Sequence, residues 1–81
     1  MKDWSVYIVE CVDGSLYTGI SNNVARRIKN HNLGKGAKYT RGRRPVKLKY
    51  EEKGLGKAEA GKREAEIKQM TREEKRKMVI E

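Results

Sequence analysis

The chain has 81 residues, with 20 Lys and Arg against 11 Asp and Glu, a formal charge of +9 and a pI near 9.9. That length is read as one domain, 1–81, whose core buries only about 60% of the surface of the unfolded chain, and the charge points to a polyanion, with nucleic acid ahead of an anionic membrane. A lone Cys11 excludes an internal disulfide and a multi-cysteine zinc site, no apolar run can span a membrane, and Met1-Lys2-Asp3-Trp4 lacks the apolar core of a signal peptide, so a cytoplasmic protein with no membrane partner is expected.

Residues 4–11 are β-branched and aromatic, and apolar at alternate positions on both faces. This predicts a central strand covered on both sides. Asp13-Gly14 signals a hairpin into a second strand, Ser15 to Ile20. A two-residue loop would pair Glu10 with Tyr17 and put Tyr7 and Tyr17 on opposite faces. A three-residue loop, Val12 to Gly14, pairs Val9 with Tyr17 and Tyr7 with Gly19. It places both tyrosines on one face and gathers Ile8, Leu16 and Ile20 on the other, so it is the register favoured.

Ser21-Asn22-Asn23 offers caps for a helix over Val24 to Asn32 that Gly34 stops. Val24 and Ile28 form its buried stripe, Arg26 points away, and Arg27 and His31 flank the stripe one turn apart. Gly34 to Arg44 reads as a basic, glycine-rich loop. Pro45 opens a third, edge strand in which Val46, Leu48 and Tyr50 share the buried face and Lys47, Lys49 and Glu51 the wet one. Gly54-Leu55-Gly56 reads as a linker and Lys57 to Met70 as a helix. Thr71-x-x-Glu74 is a capping box that starts a last helix running to the C-terminus.

On the wheel of the helix from Lys57, Ala60, Gly61, Ala65 and Ile67 are read as the apolar face, with Glu64 inside that arc and Glu59 and Glu66 on the polar side. A buried carboxylate needs a partner, and Lys57 or Lys68 could supply a plain salt bridge. The segment Gly56 to Arg63 matches seven positions of a phosphate-binding P-loop pattern. It has Arg63 where Ser or Thr must hold magnesium, and it lies within a helix pattern, so it is set aside.

Two strand tyrosines, a helical arginine, a histidine and a later helical glutamate follow one another along the chain. Ser5-Val6-Tyr7, Tyr17-Thr18-Gly19, Arg27 and that glutamate resemble the GIY-YIG nuclease superfamily, found in homing endonucleases and in the cutting domain of bacterial excision repair. Gly36 to Pro45 and Arg63 to Lys68 look like its small single-domain members. The resemblance implies an α+β fold, a three-stranded, mainly antiparallel sheet with flanking helices. It implies that Tyr7 and Tyr17 orient and deprotonate a water, that Arg27 stabilises charge on the phosphate, and that His31 assists proton transfer. Glu64 is implied as the ligand of a single Mg²⁺ or Mn²⁺, with Glu66 as a weaker candidate. This agrees with independent chemistry, since a phosphodiester needs an activated nucleophile and compensation of developing negative charge.

Lys35, Lys38, Arg41, Arg43 and Arg44 surround Tyr39 in the basic loop, a pattern suited to gripping phosphates while one ring stacks on a base or packs underneath. The function expected is a divalent-metal-dependent endonuclease that nicks nucleic acid, DNA ahead of RNA, working as a monomer or weak homodimer. The alternative is a catalytically silent nucleic-acid-binding module on DNA or structured RNA.

Overall fold

The computed structural model describes residues 2–79. In chain order it has β1 (Trp4–Cys11), β2 (Leu16–Ser21), α1 (Val24–Asn32), α2 (Lys38–Arg41), β3 (Val46–Leu55), α3 (Lys57–Lys68) and α4 (Arg72–Val79). The strands form one antiparallel sheet in the order β2-β1-β3, so the fold is α+β with β1 central.

Both faces of β1 are buried because its side chains alternate between two apolar layers. Tyr7, Val9 and Cys11 pack with Val24 and Val46, and with Tyr17 and Ile28 at the margin. Val6 and Ile8 pack on the other side with Ala60 and Ile67, joined by Leu16, Ile20, Tyr50 and Met78. Helix α1 therefore covers one face, and α3 with α4 the other. No helix of the described residues is long and apolar enough to cross a membrane.

The hairpin has the three-residue loop. Tyr7 pairs with Gly19 and Val9 with Tyr17, the Cys11 amide donates to the Ser15 carbonyl at 2.8 Å, and Gly14 takes the left-handed φ of 84° that the bulged turn requires. Asp13 fastens the turn by accepting from the Ser15 amide at 3.0 Å and hydroxyl at 2.6 Å.

The second strand starts and ends one residue later than expected. In β3 the expected alternation fails, because the register against β1 shifts between Ile8↔Tyr50 and Val9↔Leu48. The extra residue, Lys49, flips the strand, so Val46 joins the Tyr7 layer and Tyr50 the opposite one; Leu48, on the same face as Val46, is 41% exposed. The strand also continues through Gly54 and Leu55, where a linker was expected.

Helix α3 ends at Lys68 rather than Met70. Ala65 is exposed and not part of its buried face; it stands about 140° around the helix from Ala60, whereas Ile67 returns to within about 20° of it. Thr71 and Glu74 make the expected capping box, Glu74 Oε1 accepting from the Thr71 amide at 2.8 Å and Thr71 Oγ1 from the Glu74 amide at 3.1 Å. The expected run of α4 to the C-terminus passes, after Val79, outside the described residues.

Candidate active site

Tyr7 reaches the outer strand by lying across Gly19. A Cβ at Gly19 would meet the Tyr7 hydroxyl oxygen at 2.5 Å and Cζ at 2.7 Å, so only glycine leaves room for the ring. On the same face, the Tyr17 ring stands edge-on to the His31 ring with centroids 5.5 Å apart, and the Tyr7 ring does so at 6.0 Å. The two tyrosines thus converge on one imidazole.

His31 does not merely flank the α1 stripe; it is 0% exposed and tied at both ring nitrogens. Nε2 lies 2.9 Å from the Tyr7 hydroxyl and Nδ1 lies 2.8 Å from Thr40 Oγ1. The Thr40 hydroxyl spends its single proton on the Ala37 carbonyl at 2.9 Å, so towards His31 it can only accept. The network therefore assigns the imidazole proton to Nδ1, and Nε2 accepts from Tyr7.

Thr40 is delivered by α2, a helical turn inside the segment expected to be a plain loop. Its sequence carries no strong start signal, and the turn is fixed by burial of Thr40, which is 0% exposed, and by the approach of Gly36. A Cβ on Gly36 would collide with Nδ1 and with Cα of His31.

Arg27 has no carboxylate partner among the described residues, and its guanidinium stands beside the Tyr7 hydroxyl. Burial pushes the Tyr7 pKa above its ordinary value of 10.0; Arg27 opposes this, while the charges of Tyr17 and Glu64 add to it. Burial, helped by the charge of Arg27, pushes His31 below its ordinary 6.5, so the imidazole is neutral at pH 7. Tyr7 thus hydrogen-bonds His31 and feels the charges of Arg27, Tyr17 and Glu64.

The side chain of Glu64 is 23% exposed and pairs with Lys68 at 3.1 Å. Lys68 Nζ also lies 5.8 Å from the Tyr17 ring, which ties this part of α3 to the tyrosine face. Glu66 is drawn elsewhere. It bonds Arg63 at 3.2 Å, and Arg63 is in turn held by Glu52 of β3 at 3.0 Å.

The basic loop divides into two sets. Lys35, Lys38 and Arg41 are exposed, with no carboxylate partner among the described residues. Arg43 donates to Asp13 at 3.1 Å and to the Tyr39 carbonyl at 2.8 Å, and its guanidinium lies 4.1 Å from the centre of the Tyr39 ring. Arg44 donates to the Arg41 carbonyl at 2.9 Å. Tyr39 itself stacks on Tyr17 with centroids 5.8 Å apart, so its ring packs underneath, and 41% of the residue stays exposed at the rim. Thr40 and Gly36 carry parts of the arrangement that sequence reading did not assign, while Lys68 is the salt-bridge partner expected for Glu64. Both unassigned residues lie in the segment that resembles the small single-domain nucleases, but only their burial against His31 distinguishes them from their neighbours.

A family model described as the GIY-YIG catalytic domain matches residues 3–77. The UPF0213 protein SH2523 of Staphylococcus haemolyticus is 58% identical over 76 residues, covering 94% of this chain and 93% of that one. The UPF0213 protein DP2720 of Desulfotalea psychrophila is 57% identical over 77 residues, covering 94% and 70%. The solution structure of the UPF0213 protein BH0048 from Bacillus halodurans superimposes with a TM-score of 0.59 at 50% identity, covering 94% of this chain and 81% of that chain. GIY-YIG is a nuclease superfamily, so the sheet and helices described above are a nuclease-type fold. The chain belongs to the GIY-YIG family, alongside the small UPF0213 proteins.

Proposed function

We propose that this protein is a divalent-metal-dependent endonuclease that hydrolyses nucleic-acid phosphodiesters one strand at a time, DNA ahead of RNA. The observation that carries the reading is the buried path from the Tyr7 hydroxyl through His31 to Thr40, with the unpaired guanidinium of Arg27 beside it. A neutral imidazole whose Nε2 lone pair faces a phenol can take the phenolic proton as the phenol oxygen takes one from a water. The water oxygen then attacks phosphorus, forming one P–O bond as the bond to the leaving oxygen breaks. Arg27 compensates the charge that builds on the phosphoryl oxygens, a type of contribution worth about 10²–10³ in rate. Tyr17 walls the other side of the imidazole and positions the water.

The donor set also suits a hard cation. Among the described residues no group of three His, Cys, Asp or Glu is placed to hold a metal, which disfavours a dehydrated, tetrahedral zinc site. A single carboxylate fits Mg²⁺ or Mn²⁺, which keeps several waters. Glu64 would hold such an ion on exchanging its bond to Lys68, and the bound ion would supply charge neutralisation and a more acidic water. One carboxylate is too little for two ions.

The silent-binding reading has one observation in its favour, the Glu64–Lys68 ion pair, which competes with metal. The two readings separate in a cleavage assay on supercoiled plasmid, branched DNA, single-stranded DNA and RNA, run in EDTA, Mg²⁺ and Mn²⁺. The nuclease reading expects metal-dependent nicked product from at least one substrate. Salt-sensitive binding with no product under any condition would replace it with the binding module.

A further inference from the structure

Between α4 and the hairpin lies a cleft of about 190 Å³ lined by Ser15, Leu16, Tyr39, Arg72 and Lys75. Tyr39 belongs both to this cleft and, through its stack on Tyr17, to the Tyr7–His31 centre. The cleft thus begins one aromatic ring away from the candidate active site.

The charge within it is uncompensated. Arg72 and Lys75 are three residues apart on α4 and so share a helix face, and neither has a carboxylate partner among the described residues. Three nearby acids are already engaged. Glu74 caps the Thr71 amide, Asp13 is held by Ser15 and Arg43, and Glu10 pairs with Arg76 at 3.6 Å and Lys49 at 3.8 Å. Arg76 also donates to the Gly14 carbonyl at 2.5 Å, pinning α4 to the hairpin and fixing the two free cations against the tyrosine stack. By contrast, Arg43 and Arg44 of the basic loop each have two of their donors engaged inside the protein.

We infer that the cleft between α4 and the hairpin seats backbone phosphates of the nucleic acid, with Arg72 and Lys75 as the contacting cations, and so sets the direction in which the strand leaves the active site. The inference rests on the nucleic-acid reading above and adds the surface that carries the strand. Two unpaired cations over an open cleft grip a phosphodiester chain irrespective of sequence, so the cleft contributes affinity and alignment rather than base choice. Lys68, one turn before α4 and 5.8 Å from the Tyr17 ring, continues the positive track back towards Glu64.

The test is fluorescence anisotropy on labelled duplex and single-stranded DNA, in EDTA so that binding is read without cleavage, over a series of salt concentrations. Three proteins are compared: the wild type, Arg72→Gln/Lys75→Gln, and Lys47→Gln/Lys53→Gln, which removes the same charge from exposed β3 positions. Melting curves check that all three fold. The α4 pair is expected to raise Kd by roughly tenfold or more near 0.1 M salt and to flatten the log Kd versus log salt slope by about 1.4–1.8, while the β3 pair changes neither. Equal effects of the two pairs, or no effect of the α4 pair on a wild type that binds, would overturn the inference and leave the nuclease reading standing. The inference equally fails if the α4 pair weakens binding to anionic lipid vesicles but not to DNA. Absence of any nucleic-acid binding by the wild type would instead remove the underlying reading, and the inference with it.

Discussion

The hydroxyl of Tyr7 lies 2.9 Å from Nε2 of His31, and neither residue is more than 1% exposed. Because the other imidazole nitrogen is anchored by Thr40, the tautomer that makes Nε2 an acceptor is set by a fully buried residue. Thr40→Val keeps the shape but leaves the Nδ1 proton buried without an acceptor, at about 1–3 kcal/mol. The variant is expected to melt at lower temperature and, where still folded, to lose at least tenfold in kcat with little change in DNA affinity. Unchanged kcat would separate Thr40 from the chemistry.

The glycines that admit these rings respond differently from those that do not. Gly19→Ala places a methyl 2.5 Å from the Tyr7 hydroxyl oxygen, and Gly36→Ala drives one into the His31 ring and to 2.8 Å from its Cα. Each should cost about 1–3 kcal/mol by overpacking, with activity lost further than stability explains. Gly61→Ala, with nothing within 4 Å of the new Cβ and a place inside α3, is expected to stabilise by about 0.5–1 kcal/mol. Denaturant melts of the three variants give the comparison.

Arg27 is the unpaired guanidinium beside Tyr7. Arg27→Ala should lower kcat by about 10²–10³ through lost compensation of phosphoryl charge. Arg27→Lys should recover only part of that loss, since an ammonium does not offer the planar fork of donors. Binding in EDTA should change far less than turnover.

The buried imidazole also predicts the pH dependence of folding. His31 has its pKa lowered from 6.5 by burial first and by Arg27 second, so below pH 6.5 the unfolded chain takes up a proton that the folded one refuses. Its contribution to stability is complete above pH 6.5 and is lost as pH falls from there towards the folded value. Tyr7, raised above 10.0, acts oppositely at the alkaline end, where the unfolded phenol ionises first and stability falls as pH rises past 10. Urea unfolding from pH 4.5 to 8 should show the acid loss in the wild type and a flatter limb in His31→Gln.

Much of this was legible in the chain because the relevant signals are local. Asp13-Gly14 with alternation on both sides was enough to choose the hairpin register, and with it the shared face of Tyr7 and Tyr17. Asn23 as cap, Val24 and Ile28 as stripe, and the Thr71–Glu74 box placed the starts of α1 and α4. What escaped depends on contacts far apart in sequence. The Lys49 bulge is visible only against β1, and it is what puts Val46 and the half-buried Tyr50 in opposite layers. Likewise α2 exists because Thr40 is needed under His31, nine residues earlier, and Arg43 looks like a free phosphate ligand until Asp13, thirty residues back, is found holding it. Glu64 was singled out by the wheel, and its preference over Glu66 rests on the company each keeps, Lys68 and the tyrosine face for one and Arg63 for the other.

Mg²⁺- or Mn²⁺-dependent nicking by Glu64→Ala decides whether Glu64 holds the metal of the proposed tyrosine-centred phosphodiesterase. Cleavage is expected to fall by about 10³-fold or more, on the scale of a lost catalytic metal, while DNA binding in EDTA persists. Metal-dependent cleavage by Glu64→Ala at the wild-type rate would contradict that assignment.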